Sequence, residues 1–297
     1  MARADKKNRR EPVTLSRKVT VGAAFRQFIA ASNDALLRLE RDAPKADPDT
    51  VHHFRTAIRR LRSLLATFKP MLPPGPCKEL TDRLKTLAQH YGPLRELDVF
   101  IDALKEPRRP DNPRRAGFET LARAARLARR EEQAKNGRLA QDIVTLDRAL
   151  ASADWLRAPM SDAADLWDER LSAFAPKLLD KQRKQMLKRA KKLDLSDPES
   201  FHKFRINTKK HRYLIEFIDF LYKHKKEKRY LDRLVAIQDI LGELHDADTA
   251  SNLLARLPVN DETRSLAMSW LAERMAESRL RFVPCAESFR DGKPFWN

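Results

Sequence analysis

Residues 51 to 62 read Val-His-His-Phe-Arg-Thr-Ala-Ile-Arg-Arg-Leu-Arg, and residues 201 to 212 read Phe-His-Lys-Phe-Arg-Ile-Asn-Thr-Lys-Lys-His-Arg. The two stretches align without a gap at a separation of 150 residues, which is the distance along the chain from His52 to His202. Each copy carries a histidine, followed by basic residues three, seven and ten positions later. A match of this kind predicts that the chain is a tandem duplication.

Each copy has the pattern of an amphipathic helix with one cationic face. A helix turns about 100° per residue, so these four positions fall within an arc of roughly 80°. The residues on the two faces are His52, Arg55, Arg59 and Arg62 in the first copy and His202, Arg205, Lys209 and Arg212 in the second. Like charges at helical spacing cost a few tenths of a kcal/mol per pair. We interpret the repeated cost as a sign of a bound multivalent anion; the alternative is a solvated basic face.

The same separation relates a second pair of short stretches. Gly92-x-x-Arg-Glu-x-Asp98 matches Gly242-x-x-His-Asp-x-Asp248. Gly92-Pro93 is expected to close one helix, and Gly242 is expected to close its counterpart. Asp98 and Asp248 are expected either to cap the following helix or to orient an arginine by ion pairing.

The remaining pattern predicts an all-α protein. Seven glycines in 297 residues, together with abundant Ala, Leu, Arg, Lys and Glu, favour helix throughout. Each half is expected to form an approximately four-helix, up-down bundle, with the two tandem four-helix-bundle-like repeats related by a pseudo-two-fold axis. The predicted segments are a basic disordered tail at 1–15, a first bundle at 16–157, a second bundle at 158–285, and a C-terminal tail at 286–297, of which Asp291 to Asn297 is expected to be loosely held.

Capping residues and the spacing of apolar residues predict where the helices begin and end. The first helix is predicted over 17–41, and a single helix is predicted over 163–193. Asp49 or Thr50 is expected to cap the first motif helix, and Ser196 or Asp197 the second.

Composition limits the choice of partner. The 60 Lys and Arg residues exceed the 42 Asp and Glu residues, so the formal charge is +18 and the pI is about 10.1. This excess favours a polyanion: nucleic acid, an anionic membrane or a phosphate polymer. The two cysteines, Cys77 and Cys285, form no CxxC pair and are predicted to be free thiols in a reducing compartment. Without a signal peptide or a long apolar run, the protein is expected to be cytoplasmic, with no membrane partner.

Taken together, the paired motifs resemble those of the CHAD family (conserved histidine α-helical domain) over residues 16 to 285. The resemblance implies two helical bundles related by a pseudo-dyad, with a basic central surface that binds inorganic polyphosphate without catalysis. It also suggests targeting to polyphosphate granules. No Glu-x-Glu-x-Lys run precedes the motifs, so a stand-alone member without a CYTH domain is expected. Lys209 in place of Arg59, His245 in place of an arginine, and Glu96 in place of Asp depart from the pattern.

The chemistry and position of the side chains predict which residues line the polyphosphate-binding surface. Guanidinium groups match phosphate oxygens in bidentate fashion, whereas lysine supplies a compact charge. The predicted polyphosphate contacts are His52, Arg55, Arg59, Arg60, Arg62, His202, Arg205, Lys209, Lys210, Arg212 and Tyr213, with Arg95, Asp98, His245 and Asp248 in support. His52 and His202 either donate to phosphate or serve as caps or inter-bundle bonds. Glu216 is expected to restrain neighbouring cations, and His211 to be buried and hydrogen-bonded.

The sequence is also compatible with functions other than polyphosphate binding, to different degrees. Histidines among cations disfavour a metal site, so no metal and no cofactor are predicted. No nucleophile is evident beside the acidic residues, so the protein is not expected to be an enzyme. Sequence-nonspecific binding of nucleic acid is the main alternative, since phosphate contacts alone support it. A scaffold that docks an acidic protein is the third.

Overall fold

The computed structural model describes residues 15–158, 163–195, 197–222 and 224–296. Apart from Leu15, the predicted basic tail at 1–15 lies outside the described residues. The described part of the chain contains eleven α-helices and no β-strand, so the all-α prediction is confirmed. The helices are α1 Val21–Leu37, α2 Pro48–Phe68, α3 Pro74–His90, α4 Gly92–Ala103, α5 Arg115–Lys135, α6 Leu139–Ala151, α7 Ala164–Asp168, α8 Leu171–Ala190, α9 Pro198–Ile218, α10 His224–Leu254 and α11 Asp261–Arg290.

The two motif helices begin in the same way. A proline stands at the first position of each, where its missing N–H is not needed. The Asp47 carboxylate accepts from the backbone N–H groups of Asp49 and Thr50, both at 2.9 Å. Asp197 does the same at the start of α9, as predicted. The prediction of Asp49 or Thr50 as the cap of α2 was wrong, because both lie inside the first turn.

The glycine-containing stretches differ between the halves. In the first half α3 ends at His90 and α4 begins at Gly92, as expected. In the second half α10 runs through Gly242 without a break, so the predicted helix end at that residue was wrong. Proline follows Gly92 and cannot donate to the helical ladder, whereas Glu243 follows Gly242 and can. Glycine alone does not end a helix, and no glycine in the described residues has a positive φ.

Two short backbone bonds join the starts of α1 and α8. Val21 N–H donates to the Glu169 carbonyl at 2.9 Å, and Leu171 N–H donates to the Val19 carbonyl at 3.0 Å. Exchanging each residue for its counterpart 150 positions away turns one bond into the other. This reciprocity is what a local two-fold relation produces; the pseudo-two-fold axis of the whole chain stays a prediction. The bonds also interrupt the helix predicted over 163–193, which is divided into α7 and α8.

Matching helices of the two halves pack against one another. The contacts join α1 with α8, α2 with α9, α4 with α10, and α5 with α11. The larger apolar cluster surrounds α1 and α2, and the smaller one lies among α4, α5, α10 and α11. Both clusters therefore contain residues from both halves, and the predicted division of the bundles at 157/158 stays a prediction. Phe54, Ile58 and Leu61 of α2 are fully buried, as their spacing predicted.

Residues 291–296 pack against the protein, although the sequence predicts a loosely held segment from Asp291 onward. α11 continues to Arg290, and Trp296 is only 6% exposed. The indole N–H of Trp296 donates to Asp180 at 2.9 Å, and its ring packs against Tyr230. Burial of a large aromatic side chain offsets the entropy lost in ordering this segment.

Candidate functional site

Three helices, α2, α4 and α9, bring their basic residues together at the contact between the halves, and α10 contributes Asp246 beside them. We call these residues the central cationic cluster: Arg55, Arg59, Arg95, Arg205 and Lys209. Burial lowers the pKa of Arg55, Arg95, Arg205 and Lys209, and repulsion from Arg59 lowers each pKa further. All five are predicted contact or supporting residues, and the structure places them close enough for their charges to interact.

Burial and repulsion between cations lower the pKa values of Lys209 and Arg205. Burial, then repulsion from Arg205 and Arg59, holds the pKa of Lys209 well below its usual range. Burial lowers the pKa of Arg205 to about 10. Asp246 is the acidic residue whose charge opposes both shifts. Glu96 opposes the shift of Arg55, and Asp98, Asp246 and Asp102 oppose that of Arg95, so positive charge is least compensated beside Arg205 and Lys209.

Arg55 differs from Arg205 in having a backbone partner. Its guanidinium donates to the carbonyl of Ala88 in the last turn of α3. Carbonyl groups at a helix end lack partners within the helix, so this bond satisfies one of them. Arg55 therefore holds α3 against α2 in addition to contributing its charge.

Three arginines of the motif helices have a buried guanidinium nitrogen with no acceptor among the described residues. These atoms are the Nε of Arg59, Arg62 and Arg205. A buried donor without a partner costs about 1–3 kcal/mol, and more when the group is charged. Because native structures rarely tolerate this cost, the orphaned donors favour a ligand that supplies acceptor oxygens.

Two histidines extend the cluster on the side of α9 and α10. The rings of His202 and His245 lie 5.4 Å apart between centroids. Burial, then repulsion from Arg205, lowers the pKa of His245 to about 3. Burial and the same arginine lower the pKa of His202. His52 lies at the matching place on α2, where its ring contacts that of His53 at 5.6 Å.

Arg60 and Arg212, which are both predicted contact residues, form an ion-pair network with Glu216. Glu216 accepts from Arg60 at 3.2 Å and from Arg212 at 2.6 Å. Arg212 also donates to the Gln238 side chain of α10 at 3.0 Å. The prediction that Glu216 restrains neighbouring cations is therefore confirmed.

Tyr213, which is predicted to contact polyphosphate, is mostly buried. It is only 9% exposed and belongs to the larger apolar cluster. Helical spacing places it near the cationic face, and its contact with polyphosphate stays a prediction. Its phenol still interacts with Arg205. The neighbouring His211 is fully buried and shares a 2.8 Å hydrogen bond with the Tyr230 hydroxyl, as predicted.

Asp98 supports the site through an arginine that sequence reasoning missed. Its carboxylate accepts from Arg129 of α5 at 2.8 Å, with the Asp98 side chain 1% exposed. Of the two predicted alternatives, capping or ion pairing, ion pairing is observed. Arg129 also donates to the Ala46 carbonyl at 2.7 Å. Arg279 stands 150 residues after Arg129, so the duplication could have pointed to this residue.

These features define an all-α protein whose two halves meet at a half-buried cluster of cations. A family model described as the CHAD domain matches residues 23–255, and the chain belongs to the CHAD family. Among curated proteins, no match to the chain is found.

Two solved structures resemble the chain over nearly its whole length. The CHAD domain from the plant Ricinus communis is 28% identical, with a TM-score of 0.75, and the match covers 96% of this chain and 95% of that one. PptA from Streptomyces chartreusis is 17% identical, with a TM-score of 0.63, and covers 92% and 99%; it shares the fold. In the described part of the chain, no helix is long and apolar enough to cross a membrane.

Proposed function

We propose that this protein binds inorganic polyphosphate at the central cationic cluster, without chemical conversion of the ligand. The observation that carries the proposal is the excess positive charge around Asp246, which faces four cations: Arg59, Arg95, Arg205 and Lys209. A folded protein that buries like charges loses stability unless a counter-charge is supplied. A linear polyphosphate supplies that charge at high density, with oxygens that guanidinium groups bind well. Membership of the CHAD family supports the same ligand.

The geometry favours polyphosphate over nucleic acid, which is the second candidate. The cluster residues are half-buried between helices, where a thin phosphate chain fits better than a duplex. Proteins that bind single strands present exposed aromatic rings to the bases. Tyr213, the aromatic residue beside Arg205, is instead mostly buried.

Binding rather than catalysis follows from the neighbours of the histidines. The charges that act on His245 come from Arg205, His202, Lys209 and Arg55. A histidine among cations is a good donor to an anion once the anion is bound, but a poor base beforehand. We expect no phosphate release from polyphosphate during incubation with the protein. Retention on polyphosphate granules would follow from binding alone.

The test is a competition assay at about 0.15 M salt, where weak charge contacts are screened. Labelled long-chain polyphosphate is bound to the protein and challenged with duplex DNA, RNA, ATP and free phosphate. Only unlabelled polyphosphate should displace the label well. The Arg55→Glu/Arg205→Glu variant should lose binding, while Arg123→Glu/Arg130→Glu, at exposed positions of α5, should retain it.

Two outcomes would contradict the proposal. Equal displacement by DNA or RNA would mean that the charge is generic and that nucleic acid is the better candidate. Full binding by the Arg55/Arg205 variant would place the site elsewhere on the protein. Circular dichroism of both variants checks that the helices remain.

A further inference from the structure

A second group of cations lies beside the central cationic cluster, between α8 and α9. A cavity of about 430 Å³ is lined by two polar and four basic side chains: Gln185, Ser200, Lys188, Arg189, Lys192 and Lys203. We call this cavity the lateral groove. Its residues belong to neither of the two repeated motif faces, and none of them was predicted as a contact; of the four basic residues only Lys188 has a Lys or Arg counterpart, Arg38, 150 residues earlier.

The charge of the lateral groove is mostly uncompensated. Lys203 pairs with Glu199 at 2.7 Å, but both side chains are more than half exposed and such pairs are weak. Within the described residues, no acidic group forms an ion pair with Lys188, Arg189 or Lys192. The groove therefore combines concave shape with a net positive charge, which attracts an anion of matching length.

Two residues connect the lateral groove with the central cationic cluster. Lys210 follows Lys209 directly in α9, so one residue step leads from the cluster to the groove side. Burial, then repulsion from Arg62 of α2 and Arg189 of α8, lowers the pKa of Lys210. Three helices thus bring cations together here, and the buried Nε of Arg62 has no protein acceptor. Lys210 therefore interacts electrostatically both with Arg62 of the first motif helix and with Arg189 of the lateral groove.

We propose that the lateral groove is a second phosphate-binding subsite, which holds the part of a long polyphosphate chain that leaves the central cationic cluster. The inference rests on the proposed function, and it adds a length requirement to it. Lys203 and Lys210 are seven residues apart on α9, or about 10 Å along the helix axis. A short anion such as tripolyphosphate occupies the cluster, whereas a long chain contacts the cluster and the groove together. Linked contacts of this kind raise affinity without any change at the first site.

The experiment compares long-chain polyphosphate with tripolyphosphate in equilibrium binding to the full chain. The groove variant is Lys188→Glu/Arg189→Glu/Lys192→Glu, at exposed positions on and just after α8. Its matched control is Arg123→Glu/Arg126→Glu/Arg130→Glu, which makes the same charge change at exposed positions of α5. The groove variant should bind long chains at least tenfold more weakly, with tripolyphosphate affinity changed less than twofold. The control should change neither affinity by more than twofold.

Each other result overturns the inference in a recognisable way. If wild-type protein binds long chains and the groove variant binds them equally well, the proposed function stands and the second subsite does not. Equal losses in groove variant and control would mean that only net charge matters. An equal loss for both chain lengths would mean that the groove does not extend the central site. If wild-type protein binds neither ligand, the proposed function fails together with the subsite.

Discussion

The two motif helices, α2 and α9, have the same length and similar starts but different surroundings. Each has 21 residues, and their bounds differ by 150 at both ends. Arg55 of α2 donates to a backbone carbonyl of α3. Arg205 of α9 has no hydrogen-bond acceptor among the described residues for its buried Nε, and its charge is opposed mainly by Asp246.

The cause is one proline outside the motif helices. Pro93 separates α3 from α4, so Ala88 lies in a last helical turn with carbonyls to spare. The matching residue in the second half is Gln238, which lies inside the continuous helix α10. Carbonyls in a helix interior bond to the N–H four residues later. Arg205 therefore finds no such backbone partner, although its own sequence matches that of Arg55.

The comparison teaches that a duplicated motif can meet two different surroundings. In the first half the arginine anchors a helix end, and in the second half its Nε has no acceptor among the described residues. The second half also carries Lys209 and His245 where the first half has Arg59 and Arg95. These are the positions at which charge depends most on the surroundings, since arginine stays protonated while lysine and histidine titrate.

The largest difference is expected between Arg205→Met and Arg55→Met. Arg205→Met should weaken polyphosphate binding about thirtyfold or more, the value of a charged hydrogen bond, without lowering the unfolding midpoint. Arg55→Met should weaken binding less, and should also lower the unfolding free energy by about 1 kcal/mol because the Ala88 carbonyl loses its donor. Binding isotherms and thermal unfolding of both variants measure the split. Identical effects on both quantities would show that the two arginines are equivalent.

Lys209→Met is expected to stabilise the free protein while weakening binding. It removes a buried cation that Arg205 and Arg59 repel. Replacing a poorly compensated buried charge with an apolar side chain of similar length can raise stability by about 1 kcal/mol. The unfolding midpoint should therefore rise, and polyphosphate affinity should fall about tenfold. A lower midpoint would mean that the attraction between Lys209 and Asp246 outweighs the repulsion from Arg205 and Arg59. Lys85→Met, at an exposed position of α3, is the control.

The pH dependence of binding should come from His245 and His202. Both have a lowered pKa in the free protein, about 3 for His245. A bound anion raises these pKa values, so the complex takes up protons and affinity increases as pH falls from about 8 to 5.5. The folding stability of the free protein depends on pH in the opposite direction. Below about pH 6.5 these histidines bind protons in the unfolded chain but not in the folded one, so their contribution to stability is present above that pH and is lost as the pH falls below it.

His245→Arg tests this assignment, since it places the first half's Arg95 chemistry in the second half. The several-fold gain in affinity between pH 8 and 5.5 should shrink in this variant. His90→Asn, at an exposed position at the end of α3, should keep the full pH dependence. An unchanged pH profile in His245→Arg would remove that histidine from the site.

The smallest difference concerns the helix caps. Asp47→Ala and Asp197→Ala should each lower the unfolding free energy by about 1 kcal/mol. Asp47 also accepts from the Thr50 hydroxyl at 2.8 Å, so its replacement should cost slightly more. Chemical denaturation gives both values under the same conditions. A negligible effect of either change would mean that water caps the helix as well as the carboxylate does.

Much of the site could be predicted because helical spacing fixes which residues share a face. The spacing placed Arg55, Arg59, Arg205 and Lys209 together, and all four lie in the central cationic cluster. It could not show that Tyr213 is buried or that Gln238 of α10 accepts from Arg212. Nor could it find the lateral groove, because the packing of α8 against α9 depends on tertiary structure.

The amino-acid sequence alone predicted the duplication, the helical class and the two cationic faces, because these depend on the identity and local spacing of the residues. It also carried Pro93, the residue from which the asymmetry between the halves arises. The partners of each cation were settled by the packing of distant helices. Whether a guanidinium meets a carbonyl, a carboxylate or no protein acceptor depends on which helix end or side chain lies opposite, and burial then sets the strength of each charge.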